Sequence, residues 1–134
     1  MIERYSRKEI KNIWDDKNKY SIWLDIEIAA AEAMEKLKII PKGVSKKVKS
    51  KAKINVPRIL KIEEKVKHDV IAFLTSISER VGEDARYLHK GMTSSDVLDT
   101  CFNIQLKKSG EILLEDINQL LITIRRQALK HKYT

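Results

Sequence analysis

One cysteine, two prolines and four glycines in 134 residues leave little material for a cross-linked or turn-rich fold. Cys101 alone can neither close a disulfide within the chain nor build a cysteine-based metal site, and such usage fits a reducing compartment. Glycine and proline this sparse argue against an all-β chain with its many turns. Aromatic residues make up only 6%. No apolar run approaches the roughly 20 residues that a membrane span requires. The start Met1-Ile2-Glu3-Arg4-Tyr5 carries no apolar h-region of a secretory signal. There is no Walker A loop, no Gly-rich dinucleotide motif and no His-x-x-x-His pair. The expectation is a soluble, cytoplasmic chain that uses no membrane.

What is abundant is charge. Twenty-seven Lys and Arg against nineteen Asp and Glu give a formal net charge of +8. A basic surface attracts phosphate, which raises a nucleic-acid reading. Yet the lysines are dispersed and mixed with acids. The densest stretch, Lys46-Lys47-Val48-Lys49-Ser50-Lys51-Ala52-Lys53, has no interleaved aromatic or glycine. It reads as a solvated helix face, and no nucleic-acid partner is expected. A small phosphorylated anion remains compatible with the charge.

Helical periodicity dominates the chain, so the predicted class is all-α. Ser6 or Asp15 is expected to open the first helices. From Trp14 to Lys38, the residues Ile22, Ile26, Ala29, Ala33 and Leu37 recur at helical spacing and are predicted to form the buried face. Pro41 and Gly43 break that pattern, and a basic helix follows to about Lys53. Asn55 is the expected N-cap of a short helix with Pro57 in its first turn. Asp69 is expected to cap the next, which buries Val70, Phe73, Leu74 and Ile77 and stops at Gly82. Glu83 to Thr93 reads as a loop.

Thr93-Ser94-Ser95-Asp96 then opens a last apolar pattern through Phe102, Leu106, Leu113, Ile117, Leu120, Ile124 and Ala128. Gly110 interrupts this stripe without shifting its phase, so one long helix or two collinear ones are equally allowed. The predicted organisation is an N-terminal helical domain over residues 1–109 and, from 110–134, the start of a longer bundle. Such a stripe calls for self-association or for further sequence to cover it. Trp14 and Trp23 read as packing residues, Cys101 as a buried small side chain, and His131 as a surface residue.

Two short clusters offer chemistry. Lys67-His68-Asp69 places a cation, an imidazole and a carboxylate at a helix start, where unpaired N–H groups favour anions. From spacing alone the plainer reading, a surface lysine, a polar histidine and a capping Asp, is preferred. His89-Lys90-Gly91-Met92-Thr93-Ser94-Ser95-Asp96 combines a glycine, hydroxyls and a helix start, which suits a carboxylate or phosphate. Here an ordinary capped helix and an anion site stand level. Arg4 and Tyr5 alone, so near the N-terminus, support no functional claim.

Taken in register, these clusters resemble the adenylosuccinate lyase family of the fumarase/aspartase superfamily. The likeness includes Met1-Ile2-Glu3-Arg4-Tyr5-Ser6, Ile13-Trp14, Trp23-Leu24-Asp25-Ile26-Glu27 and Arg58-Ile59-Leu60-Lys61-Ile62-Glu63. It continues through Lys67-His68-Asp69-Val70-Ile71-Ala72-Phe73, and His89 to Asp96 matches the family's His-x-Gly-x-Thr-Ser-x-Asp pattern. It extends over essentially the whole chain.

The resemblance implies elimination of fumarate from adenylosuccinate, giving AMP, and from the succinylated aminoimidazole carboxamide nucleotide SAICAR. It implies no metal and no organic cofactor, and a homotetramer built on long helices. Arg4 and Tyr5 resemble nucleotide contacts, and Lys67, His68 and Asp69 a further substrate-binding stretch. His68 corresponds to a histidine given either an acid or a phosphate-binding role. Thr93 and Ser94 match residues that hold the succinyl part, with Ser94 the better carboxylate contact. His89 matches a substrate-side histidine, and Asp96 a residue that shapes the loop or caps the helix. The family's Thr-x-His stretch and its Ser-Ser-x-Met-Pro-x-Lys-x-Asn loop do not occur here, so this chain alone is expected to be inactive. Another superfamily lyase, and a small basic nucleic-acid-binding module, are the rival readings.

Overall fold

The structure, a computed structural model, describes residues 2–133, apart from the Glu3 side chain. Met1, which begins the first motif quoted above, and Thr134 lie outside the described residues. Among those described there are helices and turns and no strand, as the periodicity predicts. A 3₁₀ turn at Glu3–Tyr5 leads into α1 (Lys8–Ile13), α2 (Asp16–Lys36), α3 (Val44–Lys51), α4 (Val56–Val66) and α5 (Asp69–Val81). A second 3₁₀ segment, Gly82–Tyr87, precedes α6, which runs unbroken from Ser94 to Lys130.

Local chemistry accounts for most of these boundaries. Asp15, not Ser6, opens a helix: its Oδ1 accepts from the Asn18 N–H at 2.7 Å and caps α2. Ser6 instead donates to the Ile2 carbonyl, and Arg7 takes the capping position of α1. Asn55 Oδ1 accepts from Arg58 N–H and caps α4, with Pro57 in the first turn. Gly82, at φ 80°, ends α5 in a conformation open to glycine and costly for other residues. The segment expected to be a loop after Val81 is half 3₁₀ helix.

The core is built around α2 and α5. Tyr20, Trp23 and Phe73 form an aromatic cluster, with Trp23 edge-on to both partners at centroid distances of 5.1 and 5.4 Å. Such geometry adds about 0.5–1.5 kcal/mol per pair to the burial itself. Val44 and Val48 of α3, Ile59 and Ile62 of α4 and Val97 and Cys101 of α6 close the core. The buried face of α2 is Tyr20, Ile22, Trp23, Glu27, Ile28 and Ala31. Of the face expected from the sequence, Ile22 is buried and Ile26 half-buried. Ala29, Ala33 and Leu37 are exposed.

The first three turns of α6 pack on this body, and the rest extends away from it. Gln105 is the last buried residue, and Trp14 Nε1 still donates to Ser109 Oγ at 2.9 Å. Farther out, Arg7 and Asp116 pair across the body and the helix. From Leu113 onward every described residue is exposed, including Ile117, Leu120 and Ile124.

Candidate active site

The two sequence clusters meet through two helix N-termini. His68 is the N-cap of α5, and Asp69 is the first helical residue, which reverses the roles expected from the sequence. His68 Nδ1 accepts from the Ile71 N–H at 3.4 Å, a long capping bond. With the Nδ1 lone pair so used, the neutral ring carries its proton on Nε2. That atom lies 3.4 Å from Ser94 Oγ, in the first turn of α6. The Asp69 carboxylate is 3.6 Å from Nδ1 on the other side. A ring protonated on Nδ1 therefore gives up the cap and gains an ion pair.

Ser94 owes its place to the capping of α6. Asp96 Oδ2 accepts from the Thr93 N–H at 2.8 Å, which confirms the capping role expected for Asp96. The N-termini of α5 and α6 thus meet at His68 and Ser94, where the positive ends of both helix dipoles lie side by side. That is an environment for carboxylate or phosphate. His68 and Thr93 are exposed and Ser94 half-buried, so the cluster is an open surface.

His89 lies in the same connection as Thr93 and is held from below. Its backbone N–H donates to Glu27 Oε2 at 2.7 Å, and its Nδ1 meets Glu27 Oε1 at 2.7 Å. The Glu27 side chain has no exposure at all. Sequence reasoning did not mark Glu27, which belongs to the quoted Trp23–Glu27 stretch. A carboxylate on a buried face four residues from Trp23 was the available clue.

Backbone strain coincides with these positions. Among the described residues three non-glycine residues have positive φ, namely Lys38, Lys67 and His89, and two of them are candidate site residues. Lys67, at φ 55°, ends α4 and turns the chain directly into His68. Left-handed conformations of this kind cost about 1–3 kcal/mol and persist where surroundings impose them, often at functional sites.

Other predicted residues are not gathered here. Lys67 itself lines a groove with Leu60, Glu63 and Glu64. Arg4 lies 4.8 Å over the Tyr5 ring, and both are exposed. Nearby Arg7 is tied to Asp116, which lies about 33 Å up α6 from Ser94 at 1.5 Å per residue. Among the described residues no hydrogen bond or ion pair joins Arg4 or Tyr5 to His68 or Ser94. Cys101 is buried, and desolvation raises its thiol pKa, which suits packing rather than nucleophilic chemistry.

A cavity of about 710 Å³ lies between α2 and α3, lined by Glu32, Glu35, Lys36, Lys38, Ile40, Lys42 and Ser45. None of the candidate residues reaches it. Its Glu35 carboxylate is occupied in capping α3, accepting from Gly43 N–H at 3.0 Å and Ser45 N–H at 2.6 Å. Among the described residues no group of three His, Cys, Asp or Glu side chains is placed to hold a metal ion. No described helix is long and apolar enough to cross a membrane.

The chain is 49% identical over its full length to an adenylosuccinate lyase of Synechocystis. It is 44% identical to that of Bacillus subtilis and 43% identical to that of Staphylococcus saprophyticus. It spans 31% of the length of each of these relatives, their N-terminal portion. Among solved structures, a β-carboxy-cis,cis-muconate cycloisomerase of Acinetobacter calcoaceticus superposes with TM-score 0.78 at 24% identity. It covers 92% of this chain and 31% of its own. A fumarate lyase of Mesorhizobium superposes with TM-score 0.69 at 23% identity, over 76% of this chain and 25% of its own. These two support the helical fold alone. The family model described as lyase matches residues 3–134, and the chain belongs to that lyase family.

Proposed function

We propose that this chain is the N-terminal part of an adenylosuccinate lyase and supplies part of its substrate site. The observation that carries the reading is the convergence of His68 and Ser94, 3.4 Å apart, at two helix N-termini. The substrate would be adenylosuccinate or SAICAR, each bearing a phosphate and a succinyl group. Elimination of fumarate needs a base for a succinyl carbon proton and an acid for the departing nitrogen. It also needs fixed donors for the charge that develops on the enolised carboxylate. Ser94, Thr93 and the first N–H groups of α6 suit that last task. His68 would serve as acid or as phosphate contact, with Lys67 and Asp69 beside it, and His89 would meet an anionic group of the substrate.

Arg4 and Tyr5 would contact the nucleotide. Their separation from His68 and Ser94 within one chain favours a site assembled from several copies, as in a homotetramer. Residues 1–109 would then form the N-terminal domain and 110–134 the start of the central bundle, its exposed stripe covered by other long helices. In this reading the protein works in the cytoplasm, needs no cofactor and binds no nucleic acid. The 134-residue chain by itself would be inactive, since it lacks the family's later motifs.

Fumarate release tests the proposal. The full-length protein that contains this chain should convert adenylosuccinate and leave argininosuccinate untouched. The reverse preference would assign another lyase of the superfamily. Salt-sensitive binding to random DNA with indifference to AMP would favour the basic binding module instead.

A further inference from the structure

Glu27 lies in the middle of α2, on the face that carries Tyr20, Trp23 and Ala31 into the core. A carboxylate without exposure is costly unless donors meet both oxygens. Here one residue, 62 positions away in sequence, supplies both donors. The His89 backbone N–H and ring Nδ1 each lie 2.7 Å from a separate oxygen. The Glu27 carboxylate thus fixes the left-handed backbone of His89 (φ 57°) and the ring orientation together. Among the described residues the one ion-pairing partner found for Glu27 is His89. A cap or a fold contact needs only the backbone half of this arrangement, and the ring half calls for its own account.

We propose that Glu27 is a positioning residue that locks the His89 imidazole with its proton on Nδ1 and presents Nε2 to the substrate. An ionised carboxylate has no proton to give, so Nδ1 carries one whether the ring is neutral or cationic. Any gain or loss of a proton then occurs at Nε2 alone. With Nδ1 turned toward a fully buried partner, the side chain keeps 16% exposure for its other atoms. The histidine is held rigid on one nitrogen and free on the other, the arrangement a directional contact to a substrate phosphate or carboxylate requires. This role toward substrate rests on the lyase reading, whereas the tautomer does not.

Nitrogen-15 imidazole spectra of the 134-residue chain read the lock directly, with His68→Gln and His131→Gln used for assignment. His89 should show one fixed tautomer, with a slowly exchanging proton on Nδ1. An Nε2–H tautomer in the wild-type spectrum overturns the proposal and needs no variant. Glu27→Gln puts one acceptor and one donor where two acceptors stood. It should lose the single Nδ1–H signature while the near-UV dichroism of Tyr20 and Trp23 persists; an unchanged signature overturns the proposal. In the full-length protein Glu27→Gln and His89→Gln should each lower kcat/KM by about 10- to 100-fold, the range seen when the orienting partner of a ligating histidine is lost. The double variant should be no worse than the weaker single. Full activity of Glu27→Gln after loss of the lock would contradict the positioning role. A full-length wild type inactive on adenylosuccinate, but with the Nδ1–H signature intact, would contradict the lyase reading and leave the lock standing.

Discussion

At the scale of single residues, polar side chains set the architecture as firmly as apolar ones. Glu27 is the sharpest case, because its removal leaves two donors of His89 without partners in a buried setting. Glu27→Leu should therefore lower stability by about 3 kcal/mol, measured by urea unfolding, even though leucine adds apolar surface. Glu35 gives a pH-dependent counterpart. The backbone N–H of Gly43, then that of Ser45, holds its carboxyl below the ordinary value of 4.5. A depressed folded-state pKa means that the unfolded chain binds the proton first. The stabilisation is present above the unfolded value and is lost as pH falls through the folded one. Acid unfolding of Glu35→Gln should accordingly show a weaker pH dependence below about pH 4.5 than the wild type; identical slopes would contradict the capping account.

At the scale of elements, what was legible in the sequence depended on how local the cause is. Asn55, Gly82 and Asp96 act on their own neighbours, so the start of α4, the end of α5 and the start of α6 could be read from spacing. His68 and Asp69 exchanged roles because both are competent at a helix start, and only the turn imposed by Lys67 decides between them. The length of α2 was legible, but its buried face was not. Counting apolar residues favours Ala29, Ala33 and Leu37, whereas the helix buries Tyr20, Trp23 and Glu27, whose partners lie on distant segments. Of the candidate site, the sequence showed the two clusters, but neither the approach of His68 to Ser94 nor the support of His89 from α2. Two substitutions test the elements themselves. Phe73→Ala should cost about 3–5 kcal/mol by emptying the aromatic cluster. Gly110→Ala should add about 0.5–1 kcal/mol, because Gly110 is helical and a Cβ there meets nothing within 4 Å. Thermal unfolding measures both.

At the scale of the whole molecule, a compact helical body carries a helix that outruns it. Residues 113–133 lie exposed, with Leu113, Leu114, Ile117, Leu120, Leu121 and Ile124 each more than half accessible. A helical stretch of this length has little stability of its own in water and gains most from packing its apolar stripe. Sedimentation should show concentration-dependent self-association of the 134-residue chain, reduced when Leu113 and Leu120 are both replaced by Lys. The basic charge of the body and the two helix N-termini beside His68 fit a substrate with several anionic groups. The most direct test of the central claim is fumarate release from adenylosuccinate by the full-length protein and its His68→Gln and Ser94→Ala variants. The account predicts turnover by the wild type and a loss of kcat/KM of about 100-fold or more in each variant. Wild-type turnover retained in both variants would contradict the assignment of His68 and Ser94 to the substrate site.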